Sequence, residues 1–79
     1  MKIYNFNDKA NNCGKQVKKA RTMLGINQSE LAARLQVANV DIEQKAISRI
    51  EKGERFVADY ELLALSKVLN VSIEKLLSD

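Results

Sequence analysis

The chain has 79 residues, one Cys, no His and a formal net charge of +3. So short a chain forms one small domain with little room for an enclosed active site. Without His or a second Cys, it lacks the groups of the common nucleophilic triads, an internal disulfide and the usual zinc sites, so we expect no enzyme activity, cofactor or metal. The absence of a long apolar run or a signal-like N-terminus predicts a cytoplasmic chain without membrane association.

The N-terminal residues 1–12 have no helical periodicity. We predict that they form a flexible arm, in which Tyr4 and Phe6 offer anchors to the domain or to a second subunit. Residues 13–79 are predicted to form the folded domain. Its first helix is predicted from Gly14 to Leu24, because apolar side chains recur there at helical spacing and a Gly follows. The predicted inward side chains are Val17, Ala20 and Leu24.

A capping box starts the second predicted helix. Asn27 precedes an apolar-periodic run and Glu30 follows three residues later, so each side chain can accept a hydrogen bond from the other residue's backbone N–H. Asn39 suits the left-handed conformation that ends a helix. The predicted buried stripe between these signals is Leu31, Ala32, Leu35 and Ala38.

The third helix is predicted to begin near Ile42, with Asp41 as its cap, and to end at Gly53. With Gln44 set at 0° and about 100° per residue, apolar and polar side chains separate onto opposite faces. The apolar face holds Ala46, Ile47 and Ile50, and the polar face holds Gln44, Lys45, Ser48 and Lys52. Because the join to the second helix is short, the two helices should cross steeply, as in a helix-turn-helix.

The polar face of the third helix favours two interpretations. Amide, hydroxyl and ammonium groups suit the base edges and phosphates of a DNA major groove, whereas a solvated surface helix has the same polarity. The charge distribution favours DNA, since residues 1–55 hold eleven Lys or Arg against six Asp or Glu, and residues 56–79 hold two against four. The basic part of the chain is therefore the part with the predicted helix-turn-helix.

Two more helices complete the predicted domain. A fourth is predicted from Ala58 or Asp59 to Leu69, and a short fifth follows Ser72, which suits a helix cap. The predicted buried stripe of the fourth helix is Leu62, Leu65 and Leu69, with Leu63 and Val68 beside it. The predicted apolar face of the fifth helix is Ile73, Leu76 and Leu77.

Three separated segments together resemble one known family. They are Gln28-Ser29-Glu30-Leu31-Ala32, Ile47-Ser48-Arg49-Ile50-Glu51-Lys52-Gly53-Glu54-Arg55 and Glu61-Leu62-Leu63-Ala64-Leu65. In this order they are similar to the helix-turn-helix domain of phage-repressor and Cro-type regulators, the xenobiotic-response-element group. The resemblance implies an all-α, five-helix, lambda-repressor-like domain. It also implies a bacterial or phage transcriptional repressor that binds double-stranded DNA sequence-specifically, as a homodimer on a palindromic operator.

One feature departs from the common family pattern, because the join between Leu35 and Ile47 is longer. The chain therefore resembles a subgroup with a lengthened turn, and the angle at which the third helix docks on DNA stays open. The family also implies an ion pair between Arg21 and Glu51 that sets the crossing of the first and third helices.

The residues expected to contact DNA lie on the two helices of the helix-turn-helix and just after them. Gln44 is the first candidate for a base contact, because its amide can bond adenine bidentately. The other base-contacting candidates are Lys45, Ser48 and Arg49, and the phosphate-contacting candidates are Gln28, Ser29, Lys52 and Arg55. The start of the second helix adds backbone N–H groups and a partial positive charge. The alternative function is a protein-interaction module, or an antitoxin-like partner, with an apolar surface that binds another protein.

Overall fold

A computed structural model describes residues 8–78 of the chain. They form five helices, which are α1 (Gly14–Met23), α2 (Gln28–Val37), α3 (Gln44–Glu51), α4 (Asp59–Leu69) and α5 (Ile73–Leu77). The prediction of an all-α, five-helix domain is therefore confirmed. The predicted anchors Tyr4 and Phe6 lie outside the described residues.

The core forms where each helix turns its apolar stripe toward the others. Helices α2 and α3 pack on one another, α3 also packs on α1, and α2 also packs on α4. Helix α5 packs on α1 and α4. Each fully buried aliphatic side chain stabilises the fold by about 1.5–3 kcal/mol, so a few per helix hold this small domain together. The side chains with the least exposure are Val17, Leu31, Leu35, Ile47, Ile50, Leu65, Leu69 and Leu76.

Leu24 and Ala38 were predicted to face inward but are exposed. Leu63, predicted beside the stripe of α4, and Ile73 and Leu77, predicted on the apolar face of α5, are exposed as well. Leu24 and Ala38 are the C-caps of α1 and α2, and the next residue of each turns the chain away with a φ of 72° or 64°. Leu63 lies about 100° around α4 from Leu62, which places it beyond the edge of the buried stripe. The prediction of an inward position was therefore wrong for Leu24 and Ala38, and of the predicted apolar face of α5 only Leu76 is buried.

The join between α2 and α3 differs from the prediction at its second half. Asn39 adopts a left-handed φ of 64° and ends α2, as predicted. Helix α3 then begins at Gln44 with Glu43 as its N-cap and without a side-chain capping bond, so a start near Ile42 with Asp41 as cap was wrong. Ile42 is 2% exposed. Burial of this side chain explains the difference, because residue 42 anchors the join in the core instead of starting the helix.

Asn11 joins the segment before α1 to the end of α3. Its Oδ1 accepts hydrogen bonds from the backbone N–H groups of Cys13 and Gly14 at 3.1 and 2.8 Å. Its Nδ2 donates to the carbonyl oxygens of Ile50 and Arg55 at 3.0 and 2.8 Å. Residue 11 belongs to the part of the chain predicted as an arm, and sequence periodicity gives no signal for these long-range bonds.

Gly14 is the point of closest approach between α1 and α3. A Cβ at this position would overlap the carbonyl oxygen of Ile50 and lie 3.1 Å from that of Glu51. Backbone atoms cannot yield as a flexible side chain can. The glycine therefore allows the start of α1 to pack directly on the last turn of α3.

We expect Gly14→Ala to lower the free energy of unfolding by about 1–3 kcal/mol, because overpacking forces the two helices apart. Without that close approach, the same change would stabilise a helix by about 0.5–1 kcal/mol. The sign of the change in unfolding free energy, from a thermal or urea melt, therefore distinguishes overpacking from the ordinary gain in helix propensity. Gly25→Ala is the control, since no atom lies within 4 Å of its added Cβ and only its φ of 72° opposes the change. A Gly14→Ala variant as stable as the wild type would contradict the packing.

Candidate nucleic-acid interface

The polar face of α3 is open to solvent, whereas its apolar face is buried. Gln44, Lys45 and Arg49 are exposed and Ser48 is half-buried. Lys52, the C-cap of α3, is also exposed. The five residues therefore offer amide, hydroxyl and cationic groups along one surface of the helix.

The start of α2 lies beside the start of α3. The predicted capping box is present, since Asn27 Oδ1 accepts from the Glu30 N–H at 2.8 Å and Glu30 Oε1 accepts from the Asn27 N–H at 2.9 Å. Gln28 and Ser29 are the first two residues of this helix. A helix start carries partial positive charge and N–H groups without helical partners, which suits a phosphate.

A side-chain hydrogen bond joins the two helix starts. Gln44 Nε2 donates to Gln28 Oε1 at 2.8 Å, and Gln28 Nε2 donates in turn to Glu51 Oε1 at 3.0 Å. The structure thus brings together one predicted phosphate-contacting residue, one predicted base-contacting residue and the Glu of the predicted ion pair. Sequence patterns predicted the three residues separately but gave no signal for the bonds between them.

Arg21 and Glu51 form a bidentate ion pair between α1 and α3. Arg21 Nε and Nη2 donate to the two carboxylate oxygens at 2.7 and 3.0 Å, and Nη1 donates to the Ile26 carbonyl at 3.0 Å. The two side chains are 11% and 3% exposed. Hydrogen bonding to Glu51 raises the pKa of Arg21 above its already high ordinary value, against the opposing effect of burial. Both side chains therefore have hydrogen-bond partners inside the protein.

A second ion pair holds Arg55, the last of the predicted phosphate-contacting residues. Its Nη1 and Nη2 donate to the carboxylate oxygens of Glu61 at 3.0 Å each, and Nη1 also donates to the Phe56 carbonyl. The hydrogen bonds from Arg55 hold the pKa of the Glu61 carboxyl below its usual range, although burial opposes this. Arg55 is thus fixed beside α4, apart from the bonded set of Gln28 and Gln44, and Glu61 was not predicted as its partner.

Within residues 8–78, no cluster of three or more Cys, Asp or Glu could hold a metal ion. No helix in this part of the chain is long and apolar enough to cross a membrane.

Comparisons with known proteins agree with the fold. A helix-turn-helix family model of the Cro/C1 type matches residues 17–76. The P22 c2 repressor in complex with synthetic operator 9T is 31% identical, with a TM-score of 0.72, over 86% of this chain and 96% of that one. The restriction-modification controller protein C.AhdI from Aeromonas hydrophila is 25% identical, with a TM-score of 0.68, over 80% and 84% of the two chains.

A third solved structure supports the fold alone. The DNA-binding domain of BldD is 19% identical with a TM-score of 0.74, over 94% of this chain and 100% of that domain. No curated protein sequence matches the chain at a significant level.

We expect Glu51→Ala to lower the free energy of unfolding by about 3 kcal/mol or more, because it leaves the buried Arg21 guanidinium without its counter-charge. Thermal melts of Glu51→Ala, Arg21→Ala and the double variant measure the coupling between the two groups. Glu61→Ala is the comparison, because the Arg55 guanidinium that it leaves unpaired is 27% exposed and should cost less to strand. Single losses that simply add in the double variant would contradict an energetic coupling.

Proposed function

Because the chain belongs to the Cro/C1-type helix-turn-helix family of DNA-binding regulators, we propose that it is a sequence-specific transcriptional repressor. It binds double-stranded DNA as a homodimer on a palindromic operator, with α3 in the major groove. The observation that carries this proposal is the exposed polar face of α3 beside the capped start of α2. The similarity to the P22 c2 repressor, solved with an operator, supports it.

The proposed base contacts come from α3. Gln44 is the leading residue, because a Gln amide can donate to N7 and accept from N6 of adenine. Its position as the first residue of α3 places this amide at the end of the helix that meets α2. The other proposed base contacts are Lys45, Ser48 and Arg49, which follow Gln44 around the same surface.

The proposed phosphate contacts lie on both sides of these residues. The start of α2 offers backbone N–H groups together with Gln28 and the exposed Ser29 hydroxyl. Lys52 adds a cation at the other end of α3. Arg55, whose terminal nitrogens bond Glu61, is the last proposed phosphate contact.

A second candidate function is binding to a partner protein. A shallow groove between the end of α2 and α4 is lined by Val40, Tyr60 and Leu63, and nearby Val37 is 85% exposed. Exposed apolar groups that lie together mark a surface suited to another protein. This function is compatible with DNA binding, because the groove is not lined by the polar residues of α3.

We expect the affinity for a duplex selected from random DNA to fall steeply with salt. If Lys and Arg neutralise about four to six phosphates per bound dimer, the log-log slope should be about −4 to −5. Equilibrium binding at several salt concentrations measures this slope. No duplex binding by the folded chain at low salt would refute the proposed function and favour the partner-binding candidate.

Substitutions at base-contacting and at phosphate-contacting residues should have different effects on the affinities for operator and for scrambled duplex. Gln44→Ala and Ser48→Ala should each weaken the operator by about 1–3 kcal/mol and leave scrambled duplex nearly unchanged, because neither alters charge. Lys52→Ala should weaken both duplexes alike and make the salt slope shallower by about two, because a dimer loses one phosphate contact from each protomer. Arg34→Ala is the control, since this exposed Arg of α2 lies outside the proposed contacts. An intact specificity ratio in both neutral variants would show that the register proposed for α3 is wrong.

A further inference from the structure

The side-chain hydrogen bonds between Gln44 and Glu51 all run in one direction. Gln44 donates to Gln28, and Gln28 donates to Glu51, which also accepts two bonds from Arg21. A carboxylate paired with a guanidinium can only accept hydrogen bonds. Gln28 must therefore turn its NH₂ group toward Glu51, and this leaves its carbonyl oxygen toward Gln44.

The direction of these bonds also fixes the amide of Gln44. Because the Gln28 carbonyl can only accept, Gln44 must give it one N–H of its NH₂ group. The exposed Gln44 side chain then offers DNA its second N–H and its carbonyl oxygen, which are one donor and one acceptor. Adenine presents the matching pair at N7 and N6, whereas guanine presents two acceptors at N7 and O6.

From this geometry we infer that Glu51, acting through Gln28, is a positioning residue that sets the base preference of Gln44 in favour of adenine. The inference rests on the proposed function, because it places Gln44 at a base edge. It adds a role for Glu51 beyond the ion pair. An unrestrained Gln amide can rotate to present NH₂ to guanine, and the bond to Gln28 opposes that rotation.

Glu51→Gln should reverse the bonds. The new amide has a single acceptor oxygen, which bonds Arg21 because a guanidinium has only donors. Its NH₂ group then faces Gln28, whose amide turns over to accept. The NH₂ of Gln28 now points toward Gln44, so Gln44 accepts with its carbonyl and offers DNA only donors. Donors alone match the two acceptors of guanine.

The test is equilibrium binding of the full chain to duplexes that differ at one base pair, the pair at which Gln44→Ala removes the base preference. The wild type should prefer adenine to guanine there by about tenfold or more. Glu51→Gln should lose this preference and favour guanine. Gln28→Ala keeps the ion pair but frees the Gln44 amide, so it should reduce the adenine preference severalfold without reversing it.

Two comparisons separate positioning from mere stability. Glu51→Gln in a Gln28→Ala background should cause no further change in the adenine-to-guanine ratio, since the connecting side chain is gone. Glu54→Gln removes the same charge from an exposed carboxylate nearby and should leave the ratio at the wild-type value. Thermal melts of each variant report its folding independently of the ratio.

Several outcomes would overturn the inference. A folded Glu51→Gln variant that keeps the adenine preference, or that loses affinity for both duplexes alike, overturns it. Should Glu51→Gln fail to fold, an unchanged ratio in Gln28→Ala overturns it instead. If the wild type binds no duplex at all, the proposed function fails and the inference fails with it. If the wild type prefers adenine and the variants keep that preference, the inference fails but the proposed function stands.

Discussion

The buried bond between Arg21 and Glu51 is the interaction on which the rest of the site depends. It connects α1 with α3. Arg21 also donates to the carbonyl of Ile26, just before α2, and Glu51 also accepts from Gln28, the first residue of α2. A charge with so little exposure is tolerable only beside its partner. One pair of side chains therefore constrains the position of α3 relative to α1 and to the start of α2. An apolar contact in its place would not be directional.

Helix α3 is held at both ends by polar contacts of different kinds. At its start, Gln44 bonds Gln28, and at its end Asn11 bonds the carbonyls of Ile50 and Arg55. Between these ends the apolar face packs into the core. A helix fixed in this way holds its outer face in one position relative to the rest of the domain. Such pre-organisation reduces the entropy lost on binding. The support lies behind the exposed face and leaves it open to a ligand.

Local signals account for most of what could be predicted from the sequence. The Asn27 and Glu30 capping box, the left-handed Asn39 and the apolar periodicity predicted five helices because each signal acts within a few residues. The start of α3 and the hydrogen bonds of Asn11 depend on contacts distant in sequence, and no short pattern contains that information. For the same reason, residue types predicted the members of the candidate site, whereas the Gln44 to Gln28 bond required the fold.

The longer join between the two helices changes the connection without separating the helices. The join runs from the left-handed Asn39 to the first residue of α3, with Ile42 buried in the core. That side chain anchors the join in the core, and α3 starts two residues later, beside the start of α2. The 2.8 Å bond from Gln44 to Gln28 is the geometric consequence. A lengthened turn can therefore vary on the surface while the polar faces of the two helices keep their mutual position, since the core and the Glu51 carboxylate determine that position from within.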